Sequence, residues 1–149
     1  MDDILVEFNT NIFSAVFLTK AMVAKKNRQE KLSLVYISSI AAKTGMPGAL
    51  TYAMTKASLN SLVLSLAQEV GEKKVRVNAI MPGGCDTPMA STYNDVLPYD
   101  YLEKVKAKNI YHEAMKPENV ADLAVFLLSD KAKWIHGQCL TIDGGETLA

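Results

Sequence analysis

The stretch Ile37-Ser38-Ser39-Ile40-Ala41-Ala42-Lys43-Thr44-Gly45-Met46-Pro47-Gly48-Ala49-Leu50-Thr51-Tyr52-Ala53-Met54-Thr55-Lys56 decides how this chain folds. It begins at the end of an apolar run, Leu34 to Ile37, which lacks the alternation of a strand with one wet face and so reads as a buried parallel strand. Gly45, Pro47 and Gly48 mark a turn-rich loop. From about Leu50 to Val70 the residues Leu59, Leu62, Val63, Leu66, Ala67 and Val70 keep the spacing of one buried helical stripe, and Gly71 offers a left-handed cap. Tyr52 and Lys56 stand four residues apart at the start of that helix, so phenol and ammonium share one face, a turn apart. Ser39 precedes Tyr52 by thirteen positions and leaves the carboxyl end of the strand, where open parallel sheets bind ligands.

These three residue types suit proton exchange with a carbonyl. A free tyrosine ionises at a pKa of about 10, and a neighbouring cation favours the phenolate and lowers that value. Lys56 is placed to supply the charge. The Ser39 hydroxyl would hold a carbonyl while Tyr52 gives its oxygen a proton, or takes one in reverse. A hydride donor is the part this inventory lacks.

Outward from this stretch, Val75 to Ile80 reads as the next strand and runs into Met81-Pro82-Gly83-Gly84-Cys85-Asp86-Thr87-Pro88, where glycines let backbone approach a ligand closely. Upstream, Ile4, Leu5, Phe8, Ile12, Ala15, Val16 and Leu18 predict a helix over roughly 2–24, with the Lys25-Lys26-Asn27-Arg28 cluster favourable at its carboxyl end. Ala90 to Ile110 shows no sharp period, and its Tyr93, Tyr99 and Tyr101 either line a pocket or cover apolar surface, the second reading being favoured. Pro117-Glu118 opens a last helix whose buried face is Val120, Leu123, Ala124, Leu127 and Leu128.

Ser39, the thirteen-residue gap, Tyr52-Ala53-Met54-Thr55-Lys56, Pro82-Gly83 and the closing Asp143-Gly144-Gly145 together resemble the short-chain dehydrogenase/reductase family, and the 3-oxoacyl-acyl-carrier-protein reductases within it. The resemblance runs from Asn11 to Gly145. It implies an α/β fold, the C-terminal part of a Rossmann-like doubly wound parallel sheet with about three strands. It implies hydride transfer between NAD or NADP and a small carbonyl or alcohol, with Tyr52 as proton donor or acceptor. Lys56 would depress the tyrosine pKa and hold the nicotinamide ribose, and Ser39 would orient the carbonyl. Asn11 in Asn11-Ile12-Phe13-Ser14 matches the asparagine that completes the family's tetrad, although Ser14 stands where glycine is common. Pro82, Gly83, Cys85 and Thr87 match the segment that touches the nicotinamide amide and the diphosphate; Cys85 replaces a branched aliphatic residue where the contact is made by backbone. The family also packs the helices corresponding to 2–24 and 50–70 between subunits, which implies a homo-oligomer.

Sixteen basic residues balance sixteen acidic ones in 149, so no net field attracts nucleic acid or an anionic membrane. The apolar run Ile12 to Ala24 contains Lys20 and is too short to span a bilayer, and the acidic Met1-Asp2-Asp3 is unlike a secretory leader. Cys85 and Cys139 lie outside metal or redox spacings, and His112 and His136 are isolated; no metal site is expected, and reduced thiols suit a cytoplasmic protein.

No Gly-x-x-x-Gly-x-Gly occurs in the chain, so 1–149 reads as a partial domain without the first dinucleotide-binding strands. The strand at Leu34 to Ile37 is then expected to have an open apolar edge, prone to pairing with another chain. Two functions follow as alternatives: an NAD(P)-linked oxidoreductase, or a truncated, non-catalytic interaction module unable to bind dinucleotide.

Overall fold

The computed structural model describes residues 2–24, 31–95, 97 and 99–149. The basic cluster at 25–28 lies outside the described residues. Helix α1 (Asp2–Phe8) passes through a π-helical turn (Asn9–Phe13) into α2 (Ser14–Val23). Strand β1 (Leu32–Ile37) leads through the one-turn α3 (Ala41–Thr44) to the long α4 (Leu50–Val70), then to β2 (Val75–Pro82). Two short helices, α5 (Pro88–Thr92) and α6 (Tyr101–Lys108), precede α7 (Pro117–Leu128) and the last strand, β3 (Cys139–Ile142).

The three strands form one parallel sheet in the order β1-β2-β3, with Leu34 opposite Val77 and Ile80 opposite Leu140. Its two faces are covered by different helices, so β2 is buried on both sides, with Val75, Val77 and Ala79 towards α4 and Ile80 towards α7. On one face Val63, Leu66, Ala67 and Val70 of α4 pack on Leu34, Val75, Val77 and Ala79. On the other, Leu127 of α7 and Ala132 bury Ile80, with Val35, Leu140 and Ile142 around them. Burying one such aliphatic side chain is worth about 1.5–3 kcal/mol, so these faces are the main cohesive force.

One polar side chain sits inside this layer with its needs met. Asn78 is fully buried; its amide donates to the Ile135 carbonyl at 2.9 Å and its oxygen accepts from Gln138 N–H at 3.0 Å, which fixes the lead into β3. His136 does similar work: Nδ1 accepts from Val77 N–H at 3.2 Å and Nε2 lies 3.0 Å from the Ala67 carbonyl, tying α4 to β2.

Three expectations need correction. Gly71 is right-handed (φ −56°) and continues into a 3-10 turn; the left-handed residue is Lys74 (φ 56°). Leu128 is half exposed: at the end of α7 it is its neighbour Leu127 that seats on the sheet, fully buried beside Ile80. The apolar stripe of the first helix is largely unburied: Ile4, Leu5, Val16 and Leu18 are exposed, and on α2 only Thr19 is buried. The outer edge of β1 has no partner strand among the described residues, which is the open edge expected.

Candidate active site

Everything that positions the site converges on the carboxyl ends of β1 and β2. Ser38 N–H donates to the Ile80 carbonyl at 2.8 Å and Ile40 N–H to the Pro82 carbonyl at 3.0 Å, so the two strand exits leave together. The adjacent serines then divide their tasks. Ser38 is 2% exposed and its hydroxyl donates to the Lys56 carbonyl at 2.9 Å, locking the strand exit to α4. Ser39 accepts from Ala41 N–H at 3.1 Å and lines a cavity of about 250 Å³. That cavity is also lined by Tyr99, Tyr101, Lys104, Lys108 and Glu146. A larger cavity of about 710 Å³ lies at the opposite, amino ends of the strands, against Leu32 and Val75, far from these groups.

Tyr52 and Lys56 lie on one face of α4, with the ammonium 5.5 Å from the centre of the phenol ring. Lys56 Nζ also donates to the Ile37 carbonyl at 2.9 Å, so the charge is pinned at the strand end beside Ser39. The phenol is not made acidic here. Burial holds the Tyr52 pKa above its ordinary value; a hydrogen bond from Ser39 pulls it back, and the Glu7 charge adds to the rise. Burial lowers the pKa of Lys56. The expected depression of Tyr52 by Lys56 is not found: burial sets the direction, and the lowering contribution comes from the Ser39 hydrogen bond instead.

Asn11 reaches the same site through an intermediary. Its Nδ2 donates to Thr55 Oγ1 at 3.0 Å, and Thr55 Oγ1 donates to the Tyr52 carbonyl at 2.8 Å. Thr55 is fully buried. Asn11 lies in the π-helical turn, where Ser14 N–H reaches back to the Asn9 carbonyl; such single turns frequently mark functional positions. The sequence reading missed Thr55, although it lies within the Tyr52–Lys56 motif, because a threonine facing the helix interior carries no spacing signal of its own.

The loop after β2 holds the last set of residues. Gly83 N–H donates to the Ile142 carbonyl, Gly84 N–H to Glu146 Oε2 at 2.8 Å, and Asp86 N–H to the Met115 carbonyl. Among the described residues the Cys85 N–H has no partner, and Thr87, the residue before α5, makes no capping bond with its side chain. These backbone and hydroxyl groups fit the amide and diphosphate of a dinucleotide. The glycines themselves answer to packing: a Cβ on Gly83 would lie 2.7 Å from Asp143 Cβ and Glu146 Oε2, and one on Gly84 would lie 2.2 Å from Val105 Cγ2. Two tyrosines complete the surroundings. The rings of Tyr93 and Tyr101 are 5.1 Å apart and tilted by 47°. Burial raises both pKa values, that of Tyr93 to about 12.

Comparison with known proteins agrees with this geometry. A family model described as enoyl-(acyl carrier protein) reductase matches residues 1–147. The 3-oxoacyl-acyl-carrier-protein reductase FabG of Chlamydia trachomatis is 36% identical over 137 residues, 92% of this chain and 54% of that protein. The 7alpha-hydroxysteroid dehydrogenase of Escherichia coli is 30% identical over 149 residues, 97% of this chain and 56% of that protein. Among solved structures, a short-chain dehydrogenase/reductase from Brucella melitensis superposes with a TM-score of 0.84 at 27% identity, covering 95% of this chain and 55% of the other. The chain spans about half the length of the curated relatives it matches. With a parallel α/β sheet, a family match over almost its whole length and relatives above 30% identity, the chain belongs to the short-chain dehydrogenase/reductase family of oxidoreductases.

Proposed function

We propose that the chain carries the proton-transfer half of an NAD(P)-dependent interconversion of a carbonyl and an alcohol. The carrying observation is the convergence of Ser39, Tyr52 and Lys56 at one strand end, with the Lys56 ammonium 5.5 Å from the phenol ring. A bound nicotinamide supplies or accepts the hydride. Ser39 orients the carbonyl oxygen, and Tyr52 donates its phenolic proton to that oxygen as negative charge develops there. In reduction Tyr52 enters as the acid, its proton retained through burial, and in oxidation its phenolate takes the proton back. Lys56, held by the Ile37 carbonyl, stabilises the phenolate that results and would hold the nicotinamide ribose. Asn11 keeps the first turn of α4 in register through Thr55.

Pro82, Gly83, Cys85 and Thr87 are the cofactor-binding segment of this reading, supported by the unpartnered Cys85 amide and the uncommitted Thr87 side chain. NAD and NADP are both compatible with it. The substrate is a small carbonyl or alcohol, and a 3-oxoacyl thioester is one member of that class, supported by the FabG relatives. The exposed apolar residues Phe17 and Leu18 of α2 and Leu64 of α4 support a homo-oligomer, which light scattering at micromolar concentration tests by mass. No helix of the described residues is long and apolar enough to cross a membrane.

The open edge of β1 favours a competing reading, a non-catalytic module whose role is to pair with another chain. Fluorescence titration with NADH and NADPH separates the two. Saturable binding of either, together with loss of turnover and retention of binding in Tyr52→Phe, supports the oxidoreductase; absence of binding supports the module, and unchanged turnover in Tyr52→Phe removes the tyrosine's role.

A further inference from the structure

Resting on the oxidoreductase reading, we infer that the substrate carries an anionic group, a carboxylate or a phosphate, which Lys104 and Lys108 receive in the cavity that also contains Ser39. The sequence of α6 sets this up. Tyr101, Lys104, Val105 and Lys108 fall at i, i+3, i+4 and i+7, one face of the helix. Val105 is 3% exposed and seated on Gly84, where no Cβ could fit, so the rotation of α6 about its own axis is fixed. With Val105 held there, the lysines on either side of it are turned to the cavity lining, together with Tyr101.

The third lysine of the helix provides the contrast. Lys106 pairs with Glu103 at 2.6 Å, as surface lysines commonly do one turn from a carboxylate. Among the described residues neither Lys104 nor Lys108 makes an ion pair. Lys104 instead lies 4.0 Å from the centre of the Tyr99 ring, which steadies the ammonium without neutralising it. The one carboxylate in that lining is Glu146, whose Oε2 already accepts the Gly84 N–H at 2.8 Å; burial weakens its acidity, and the charge of Lys108 acts on it without an ion pair forming. Two cations of like charge a turn apart repel each other, and a ligand anion relieves that repulsion. The cavity, about 250 Å³, is lined both by Ser39 and by the two lysines, so an anion held there shares one small space with the Ser39 hydroxyl.

The test is calorimetric titration of the 149-residue chain with matched probes: 4-oxopentanoate against its methyl ester, and dihydroxyacetone phosphate against dihydroxyacetone. The charged member of at least one pair is expected to bind about fivefold or more tightly than its neutral partner, the size two partly exposed charges can supply. That preference should fall to within about twofold in K104Q/K108Q and persist in K133Q, whose lysine lines the other cavity, at the amino ends of the strands. The pair that shows the preference identifies the anion. Equal binding within both pairs, no binding of any probe, or a preference that survives K104Q/K108Q overturns the inference. These titrations need neither dinucleotide nor turnover, so their failure is distinguishable from failure of the role given to Tyr52.

Discussion

The floor of the site and the cover over it are built by different means. The floor, made of the ends of β1 and β2 with the first turns of α4, is held by backbone register and by side chains locked in place: Ser38 to Lys56, Thr55 to Tyr52, Lys56 to Ile37. Each of these bonds joins a strand end or helix turn to its neighbour. The cover, α5, α6 and the turns between them, has only short helices, each anchored by a few contacts such as Val105 on Gly84 and Tyr93 on Tyr101. It carries the charge and aromatic surface that would meet a substrate. On the proposed function, reaction chemistry rests on the hydrogen-bonded floor and selectivity on the cover.

The sharpest way to separate the two is a pair of phenol deletions. Tyr52→Phe in a turnover-competent protein should cost about 10²–10⁴ in kcat, the usual weight of a positioned proton donor, with NADH affinity retained. Tyr101→Phe, which removes a phenol from the cover, should change KM with kcat held within a few-fold. Comparable kcat losses in both would erase the division between floor and cover.

Next in size is the junction between them. Gly84→Ala drives a methyl to within 2.2 Å of Val105 Cγ2, so either α6 shifts or the core strains, and a loss of about 1–3 kcal/mol is expected in denaturant unfolding. Val105→Ala in the same background should recover part of it; no recovery would mean that the glycine serves something other than this contact. Within the floor, Thr55→Val keeps the shape of a fully buried side chain but strands the Asn11 amide. A loss of about 1–2 kcal/mol is expected, read as a lowered unfolding midpoint. An unchanged midpoint would show that the link from Asn11 to Tyr52 is dispensable.

The same contrast explains what could be read from the residues alone. The floor was legible because parallel strands and long helices impose periods: the unbroken Leu34–Ile37 run, the α4 stripe and the four-residue step from Tyr52 to Lys56 each have one physical meaning. Even there the electrostatics were misjudged, since a sequence shows that Lys56 neighbours Tyr52 but not how far both are removed from water. The cap at Gly71 failed for a related reason: the chain continues one more 3-10 turn before Lys74 takes the left-handed conformation. The cover was illegible in the main. Tyr101, Lys104, Val105 and Lys108 do form a helical stripe, but eight residues whose large aliphatic side chains are only Leu102 and Val105 do not announce which face is buried until Gly84 is seen beneath Val105. The exposed stripe of α1 and α2 was the opposite case, a strong periodic signal with little in the described residues to bury it.

The smallest effect expected is in alkaline stability, where the tyrosines of both parts and Lys56 of the floor pull in opposite directions. Burial lifts Tyr93 to about 12, with the charges of Tyr52 and Glu7 adding to the rise. An unfolded tyrosine ionises near pH 10, so between about pH 10 and 12 the unfolded chain binds fewer protons than the folded one, and stability falls as pH rises. Tyr52 and Tyr101, also raised by burial, steepen the same fall. Lys56 acts with the other sign: burial lowers its pKa, so below its ordinary value near 10.4 the unfolded chain binds more protons, and stability is gained as pH rises through that window. Tyr93 is only half buried, so solvent screening leaves its share below about 1 kcal/mol. Denaturant midpoints measured from pH 8 to 11.5 should therefore climb slightly and then decline. Tyr93→Phe should flatten the decline and Lys56→Met the climb; if Tyr93→Phe alters the climb instead, the two regions are coupled through the Tyr52 phenol and cannot be treated as independent parts.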